Sequence, residues 1–281
     1  MTTELEEKIV VEVDAEAELA KETMERLKQY LFDYGKIFLI GNSGTGKTNA
    51  CMHFVRYLMN TQEYKDGNLY VRICDSAGVW REKFDKIPFV DITKKATVPI
   101  EERTVLLDLG FLSVEKNVAV VENLIKQDYY IQRELMTKRL QMPIRVYIAE
   151  EAQNLFGSYR RGGIWLKFFS ECRNFNQFMI GLTQRLSDVN TQFCERTKYF
   201  MIGSLSGAND LRKVKSMFEK DVGGRLIHEI QALRRGEFIL VDTYNTENSL
   251  KIYFPKFEQS GVPFEWNIGN NGHIRVERVF L

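Results

Sequence analysis

The stretch FLIGNSGTGKTNACMHF, residues 38–54, decides the fold. An apolar run ends at Gly41, a second glycine follows at Gly46, and Lys47 and Thr48 come directly after it. The segment GNSGTGKT therefore matches the pattern GxxxxGK[ST] at every position, between a predicted buried strand and a predicted helix. This pattern is typical of a phosphate-binding loop, because glycines let backbone N–H groups face phosphate oxygens at the start of a helix.

The parts of this loop, called the P-loop below, predict a site for ATP and Mg²⁺. We expect Lys47 to reach the β- and γ-phosphates and the hydroxyl of Thr48 to hold Mg²⁺. The alternative, a glycine-rich turn with an exposed lysine, is disfavoured by the flanking strand and helix. The residues expected to bind the nucleotide are Gly41, Asn42, Ser43, Gly44, Thr45, Gly46, Lys47 and Thr48.

The composition of the chain indicates which class of protein contains this loop. The chain has 281 residues, 44% of them hydrophobic and 27% charged, which suits one large globular domain. No apolar run approaches the roughly 20 residues that span a bilayer, so no membrane span is expected. The acidic start lacks the apolar segment of a signal peptide. The four cysteines lie far apart without CxxC spacing, so we expect free thiols and a cytoplasmic protein.

The net charge of +1 hides an asymmetry between the start of the chain and the rest. Residues 1–25 hold nine acidic residues and two lysines, a net charge of −7, so the remainder carries +8. A mildly basic body is compatible with a polyanionic partner, and equally with an ordinary solvated surface.

Strand-like and helix-like stretches alternate along the chain. This alternation predicts an α/β fold with a largely parallel central sheet flanked by helices on both faces. The last two strands are expected to form a C-terminal β-hairpin. Strands are predicted at 9–13, 36–40, 68–74, 89–92, 104–110, 144–149, 178–183, 198–203, 238–244 and 249–254, and helices at 15–33, 46–60, 114–139, 164–174 and 209–218.

A pair of acidic residues follows the strand in IRVYIAEEAQ, residues 144–153. Ligands of open parallel sheets bind at the carboxyl ends of the strands, where these two side chains are expected. We expect Glu150 to hold Mg²⁺ through water, and Glu151 to orient or deprotonate the water that attacks ATP. The alternative is an acidic pair that stabilises a helix start.

A polar side chain also follows the strand in FMIGLTQR, residues 178–185. The amide of Gln184 can hydrogen-bond both a phosphate and a water, because it carries donors and an acceptor. We expect it beside the γ-phosphate, where it would sense the state of the nucleotide. The alternative is a polar strand end without a role in catalysis.

These three elements, in this order, resemble the HerA/FtsK superfamily of RecA-like motor ATPases. Four stretches beyond the P-loop carry the resemblance, which covers roughly residues 36–255. They are TVLLDLGFLSVEKNVAVVENLI (104–125), VYIAEEAQNLF (146–156), SECRNFNQFMIGLTQR (170–185) and LRRGEFILVD (233–242). Among these, the EEAQ, CRNF and LTQR series is more specific than the P-loop.

The chain also departs from the pattern of that superfamily. Glu150 stands where many relatives have aspartate, Gln153 where some have histidine, and Arg185 precedes a leucine in place of a frequent proline. The larger accessory domains of cellular members are not expected, because the segment before the P-loop is short. The chain therefore looks more like compact viral genome-packaging or plasmid-encoded members.

The resemblance implies a RecA-like P-loop NTPase that hydrolyses ATP to move double-stranded DNA. Packaging of a viral genome, in the host cytoplasm, is the favoured task, and a HerA-type cellular or plasmid DNA-processing translocase is the alternative. The implied assembly is a homo-oligomer, a hexameric ring, with a capsid or another protein as a further candidate partner. The implied units are an acidic N-terminal strand and helix (1–34), the ATPase core (35–255) and a C-terminal extension (256–281).

Such a ring implies two further kinds of site residue. An arginine from the neighbouring subunit would complete each ATP site, and Arg173 matches the family position best, with Arg196 and Arg212 as rivals. DNA in the pore would meet the loop after the acidic pair, NLFGSYRRGG (154–163). Its Tyr159, Arg160 and Arg161 are candidates for phosphate contacts, which carry no sequence information. The alternative for this loop is an ordinary exposed turn.

A different class of function stays open at this point. A nucleotide-dependent switch or scaffold would bind ATP and recruit a protein with little hydrolysis. The acidic pair and the candidate arginine argue against it, because a pure switch needs neither.

Overall fold

The strand before the P-loop, β1 (Lys36–Ile40), lies between two parallel neighbours in the interior of a sheet. All five of its residues are buried. The computed structural model describes residues 2–81, 83, 89–91, 102–110, 112–157, 164–257 and 274–279. Within these ranges the sheet has ten strands, in the order β10-β9-β8-β7-β1-β6-β5-β2-β4-β3. The other strands are β2 (Leu69–Asp75), β3 (Phe89–Asp91), β4 (Thr104–Asp108), β5 (Ile144–Ala149), β6 (Gln177–Thr183), β7 (Tyr199–Ile202), β8 (Glu237–Asp242), β9 (Leu250–Tyr253) and β10 (Arg275–Arg278).

The strands from β7 to β3 in this order run parallel, whereas β8, β9 and β10 add to one edge as antiparallel strands. The predicted α/β class, the largely parallel sheet and the C-terminal hairpin are thus confirmed. The hairpin is β8 and β9, and β10 extends it by one strand drawn from the C-terminal segment.

Helices cover both faces of this sheet. Alternate residues of β1 belong to different cores, with Ile37 and Leu39 in one and Phe38 and Ile40 in the other, because successive strand side chains point to opposite faces. Helices α1 and α2 pack on the first face and α4 to α9 on the second. The helices are α1 (Thr2–Tyr34), α2 (Lys47–Asn60), α3 (Gln62–Lys65), α4 (Val114–Thr137), α5 (Ala152–Leu155), α6 (Ile164–Glu171), α7 (Thr191–Glu195), α8 (Ala208–Ser216) and α9 (Lys220–Ala232).

The strand predicted at residues 9–13 is wrong, because these residues form part of α1. The segment IVVEV favours a strand by composition, but valine and isoleucine disfavour a helix by only a few tenths of a kcal/mol each, about 0.5 kcal/mol at most. Strong helix formers surround it, with ELEEK before and AEAELAKE after. Helix formation is cooperative, so the helix formers on both sides keep the short β-branched run helical.

Helix α9 was not predicted, because its sequence KDVGGRLIHEIQA contains two adjacent glycines. Each glycine disfavours a helix by about 1 kcal/mol relative to alanine. A Cβ on Gly223 would lie 2.9 Å from the carbonyl oxygen of Lys215, at the end of α8. A residue without a side chain therefore allows α9 to pack closely against α8.

A buried ion pair lies where α4 packs over the start of β5. The Oδ1 atom of Asp128 is 2.6 Å from an Arg145 guanidinium nitrogen, and both side chains are almost fully buried. The Tyr147 hydroxyl donates to the other oxygen of Asp128 at 2.6 Å, and the amide of Gln177 donates to that hydroxyl at 3.1 Å. Burial, followed by the charge of Asp128, raises the pKa of Tyr147 well above its ordinary value. This cluster fixes α4 on the sheet.

A search of the helices within the described ranges finds none with the length and apolar character that crossing a membrane requires.

Candidate active site

The carboxyl ends of β1, β6 and β5 bring the P-loop, Gln184 and the acidic pair to one edge of the sheet. Strand β6 lies between β1 and β5, so Gln184 follows the strand that separates the P-loop from Glu151. An open cleft of about 470 Å³ joins them, with Lys47, Thr48, Glu150, Glu151 and Gln184 in its wall. The residues predicted from three separate motifs therefore face a common space.

The P-loop is held by the ends of two strands and leaves Gly44 and Gly46 open to the cleft. The Gly41 N–H donates to the carbonyl of Thr183 at 3.2 Å, and the Asn42 N–H donates to that of Ser204 at 2.9 Å. Gly44 and Gly46 adopt left-handed φ values of 79° and 100°. No described atom lies within 4 Å of the position that a Cβ on Gly44 would take. The loop thus has the concave, uncrowded backbone that a phosphate needs.

Lys47 already points its ammonium group into the P-loop. Its Nζ donates to the carbonyl oxygens of Gly41 at 2.8 Å and Asn42 at 3.0 Å. Burial lowers the pKa of Lys47 from its ordinary value, and the carboxylates of Glu151 and Glu150 oppose that shift. The side chain is therefore positioned to exchange backbone carbonyls for phosphate oxygens.

Glu150 is the buried member of the acidic pair, 5% exposed. Its Oε1 accepts a hydrogen bond from the Trp80 indole at 2.9 Å, and the Thr48 side chain lies beside it in the cleft wall. Burial raises the pKa of Glu150, and the side chains of Trp80 and Thr48 oppose the rise. A hydroxyl beside a carboxylate is an oxygen donor set that suits Mg²⁺, so these residues fit that ion.

Glu151 is the partly exposed member of the pair, and both of its carboxylate oxygens are hydrogen-bonded. Its Oε1 accepts from the amide of Gln184 at 2.7 Å, and its Oε2 accepts from the amide of Gln153. The residue has a left-handed φ of 52° and precedes α5. Its side chain makes no capping hydrogen bond to α5, which argues against the alternative of a helix-capping pair.

The three candidate arginines are exposed and lie away from this cleft. The guanidinium of Arg173, which precedes β6, donates to the carbonyl of Asp33 at 2.7 Å. Arg196 precedes β7 and donates to the hydroxyl of Ser170. Arg212 lies on α8 and donates to Asn209 at 3.1 Å. Arg173 and Arg196 therefore lie at the amino-terminal edge of the sheet, opposite the P-loop.

The candidate DNA contacts Tyr159, Arg160 and Arg161 lie outside the described residues.

A segment far along the chain completes the cleft beside α2. Asn49 donates to the carbonyl of Pro255 at 2.7 Å and accepts from the backbone N–H of Phe257 at 2.5 Å. Lys256 and Phe257 line the cleft as a result, and Arg235, which precedes β8, lines it as well. Sequence reasoning did not find these three residues, because no local pattern links them to a P-loop about 190 residues earlier.

His53 makes the attachment of this segment sensitive to acid. Its Nε2 is hydrogen-bonded to the carbonyl of Pro255 at 2.9 Å, and burial lowers the pKa of His53 to about 4. The unfolded chain therefore binds a proton between pH 6.5 and about 4 that the folded chain excludes. We expect the free energy of unfolding to fall by about 3 kcal/mol over this range through His53 alone.

The measurement is urea unfolding from pH 7 to pH 4.5, comparing wild type with His53→Gln. Glutamine keeps a donor for the Pro255 carbonyl but does not titrate, so the variant should lose less stability on acidification. If wild type and His53→Gln lost the same unfolding free energy on acidification, the role assigned to His53 would be contradicted. Gln192→Met, on the exposed surface of α7, serves as the neutral control.

No protein-family model and no curated protein matches this sequence.

Solved structures do share its fold. B204, the DNA-packaging ATPase from Sulfolobus turreted icosahedral virus, is 15% identical with a TM-score of 0.54, over 75% of this chain and 94% of that chain. VirB4 of Thermoanaerobacter pseudethanolicus is 12% identical with a TM-score of 0.53, over 80% and 90%. ATPases 2 and 3 of EssC from Geobacillus thermodenitrificans are 12% identical with a TM-score of 0.54, over 82% and 41%.

At these identities the likeness concerns the fold. The chain shares its fold with these proteins, in agreement with the fold that the resemblance of its motifs implied. The genome-packaging NTPase B204 from Sulfolobus turreted icosahedral virus 2 was solved in complex with ATP-gammaS and with AMP.

Proposed function

We propose that this protein is an ATPase that uses hydrolysis to move double-stranded DNA through a ring of its own subunits, with genome packaging as the favoured task. One observation carries the proposal. Lys47, Thr48, the acidic pair and Gln184 open onto one cleft, with a potential base and a potential sensor on adjacent strands. The fold that the chain shares with B204, a DNA-packaging ATPase, and with VirB4 supports the same conclusion.

The uncrowded backbone of the P-loop supports the proposed binding of ATP. The phosphates enter the concave backbone of Gly44 to Gly46, at the amino end of α2, where the helix dipole favours negative charge. The ammonium of Lys47 leaves the carbonyls of Gly41 and Asn42 for phosphate oxygens. Thr48 and Glu150 would hold Mg²⁺, which when bound neutralises charge on the phosphate oxygens.

Hydrolysis then requires a base at the end of β5. Glu151 accepts a proton from the attacking water, whose oxygen bonds to the γ-phosphorus while the bond from that phosphorus to ADP breaks. Gln184 lines the cleft beside Glu151, so its amide can turn from the carboxylate toward the γ-phosphate. When the γ-phosphate is lost, the hydrogen bonds of Gln184 at the end of β6 therefore change.

The position of Arg173 favours action across a subunit interface. Strand β6 has seven residues, so its two ends lie roughly 20 Å apart. An arginine at the amino end of β6 is too far from the P-loop of its own chain to touch the γ-phosphate. A ring in which this edge meets the cleft of the next subunit would place Arg173 or Arg196 at that phosphate, with Arg173 as the favoured residue, whereas Arg212 on α8 would need a different contact between subunits.

Double-stranded DNA is the proposed cargo on grounds of charge. The chain after residue 25 carries a net charge of +8, and Tyr159, Arg160 and Arg161 are proposed to contact phosphates in the pore. A capsid protein is a proposed partner of the ring, and the host cytoplasm is its proposed compartment.

The proposal is tested by steady-state ATP turnover, with and without double-stranded DNA, over a range of protein concentrations. We expect DNA to stimulate turnover, and the stimulation to rise with protein concentration because the site is completed on assembly. In Arg173→Ala the stimulated rate should fall to the basal rate, whereas the matched exposed control Arg225→Ala should keep its stimulation.

Turnover that ignores both DNA and protein concentration would contradict the proposal and favour a nucleotide-dependent switch. Stimulation that survives in Arg173→Ala would leave the proposed motor intact, but Arg196 or Arg212 would then be the arginine that completes the neighbouring site.

A further inference from the structure

We propose that Gln153 is a positioning residue that fixes the carboxylate of Glu151 and connects it to Thr183 at the end of β6. The inference rests on the proposed ATPase function and adds a residue to that same site. Gln153 lies two residues after Glu151, on the single turn of α5.

The side-chain amide of Gln153 bridges the two strand ends. Its Nε2 donates to Glu151 Oε2, and its Oε1 accepts from the hydroxyl of Thr183 at 2.6 Å. The Thr183 hydroxyl in turn accepts from the backbone N–H of Arg185 at 3.1 Å. A continuous chain of hydrogen bonds therefore runs from the backbone after β6 to the proposed catalytic base.

The direction of this chain sets the orientation of the amide. The Glu151 carboxylate can only accept, so the amide nitrogen of Gln153 faces it and the carbonyl oxygen faces Thr183. The Thr183 hydroxyl therefore donates its single proton to that carbonyl oxygen while it accepts from the backbone N–H of Arg185. Thr183 has no exposed surface and is held in β6, so the bridge has a rigid end.

The two amides that bind Glu151 differ in where they lie. Gln184 lines the cleft and can reach a phosphate, whereas Gln153 is not among the described residues of the cleft wall. Gln184 can therefore exchange partners during turnover while Gln153 holds the carboxylate. A free glutamate side chain would have to be ordered at each turnover, and misplacement by about 1 Å can cost about 10²-fold in rate.

The left-handed backbone of Glu151 supports the same conclusion. A φ of 52° is unusual for a residue with a side chain and costs about 1–3 kcal/mol. This conformation turns the chain sharply between β5 and α5, which brings Gln153 back over the carboxylate.

The test is a double-mutant cycle on kcat for ATP hydrolysis, with Gln153→Met and Thr183→Val. Both substitutions keep the approximate shape and remove the hydrogen bonds. We expect Gln153→Met to lower kcat by about 10–100-fold, with KM for ATP changed less than about twofold. Thr183→Val should lower kcat in wild type but have almost no further effect in Gln153→Met. Thr183→Ser, which keeps the hydroxyl, should restore most of the rate, and the exposed Gln192→Met should behave as wild type.

Each other outcome would overturn the inference. An unchanged kcat in Gln153→Met, or additive losses in the double variant, would show that the bridge does not position Glu151. A rise in KM alone would place Gln153 in binding. If Gln153→Met does not melt cooperatively, the Thr183→Ser and Thr183→Val pair applies the same test, since only valine removes the donor. The ATP turnover of Lys47→Ala gives the background rate. If the wild-type rate does not exceed this background, the proposed function is overturned as well. If the wild type turns over ATP and Gln153→Met keeps the same kcat, this inference alone is overturned.

Discussion

Replacing Glu151 by glutamine is expected to lower kcat for ATP hydrolysis by about 10²–10⁴-fold while ATP still binds. Glutamine has the same shape but cannot accept the proton of the attacking water. The groups proposed to bind the nucleotide, which are the P-loop backbone, Lys47 and Thr48, are separate residues of the same cleft. The loss should therefore appear in turnover and leave affinity nearly unchanged.

The measurements are single-turnover hydrolysis and the Kd for a fluorescent ATP analogue, in wild type and Glu151→Gln. Glu229→Gln on α9, also partly exposed, is the matched control for loss of one carboxylate far from the cleft. A Glu151→Gln protein that hydrolyses ATP at the wild-type rate would disprove the mechanism proposed for this site.

Replacing Asp128 by alanine is expected to lower the free energy of unfolding by about 3–5 kcal/mol. The variant leaves the Arg145 guanidinium buried without its carboxylate and removes the acceptor of the Tyr147 hydroxyl. Both side chains of the ion pair are at most 3% exposed, so water does not replace the lost partner. An uncompensated buried charge costs more than the pair contributes relative to an apolar core.

Urea unfolding of Asp128→Ala and of the double variant Asp128→Leu with Arg145→Met would check this account. The double variant removes both members of the pair and should recover most of the lost stability, because the Arg145 guanidinium is no longer left buried without its carboxylate. A single variant within about 1 kcal/mol of wild type would contradict the role assigned to the pair. The exposed pair Glu134 and Lys138 on α4 provides the control, since breaking a surface ion pair costs little.

The architecture and the cleft wall that carries the P-loop were largely predictable. The apolar runs at 36–40, 144–149 and 178–183 are buried strands, and polar residues directly after them meet at one sheet edge because parallel strands share a direction. The P-loop and the acidic pair could therefore be placed together without knowing the order of the strands.

What could not be predicted depends on contacts between distant segments. Trp80 donates to Glu150 across about 70 residues of sequence, and Phe257 reaches Asn49 across about 200. Gln153 was visible only as a departure from the family pattern, because its role depends on Thr183 in another strand. Helix α9 was missed for a similar reason, since its two glycines disfavour a helix locally, and the packing against α8 that requires Gly223 is not visible in the sequence.

The central position of β1 makes the P-loop strand a reporter of ligand binding by hydrogen exchange. Its backbone pairs with β6 on one side and β7 on the other, and no end of the sheet is near. Its amide protons can exchange with solvent only when the whole sheet opens, so their protection equals the global free energy of unfolding. A nucleotide that binds only the folded protein raises that free energy by RT ln(1 + [L]/Kd). Affinity at the cleft is therefore readable in a strand whose own side chains are buried away from the nucleotide.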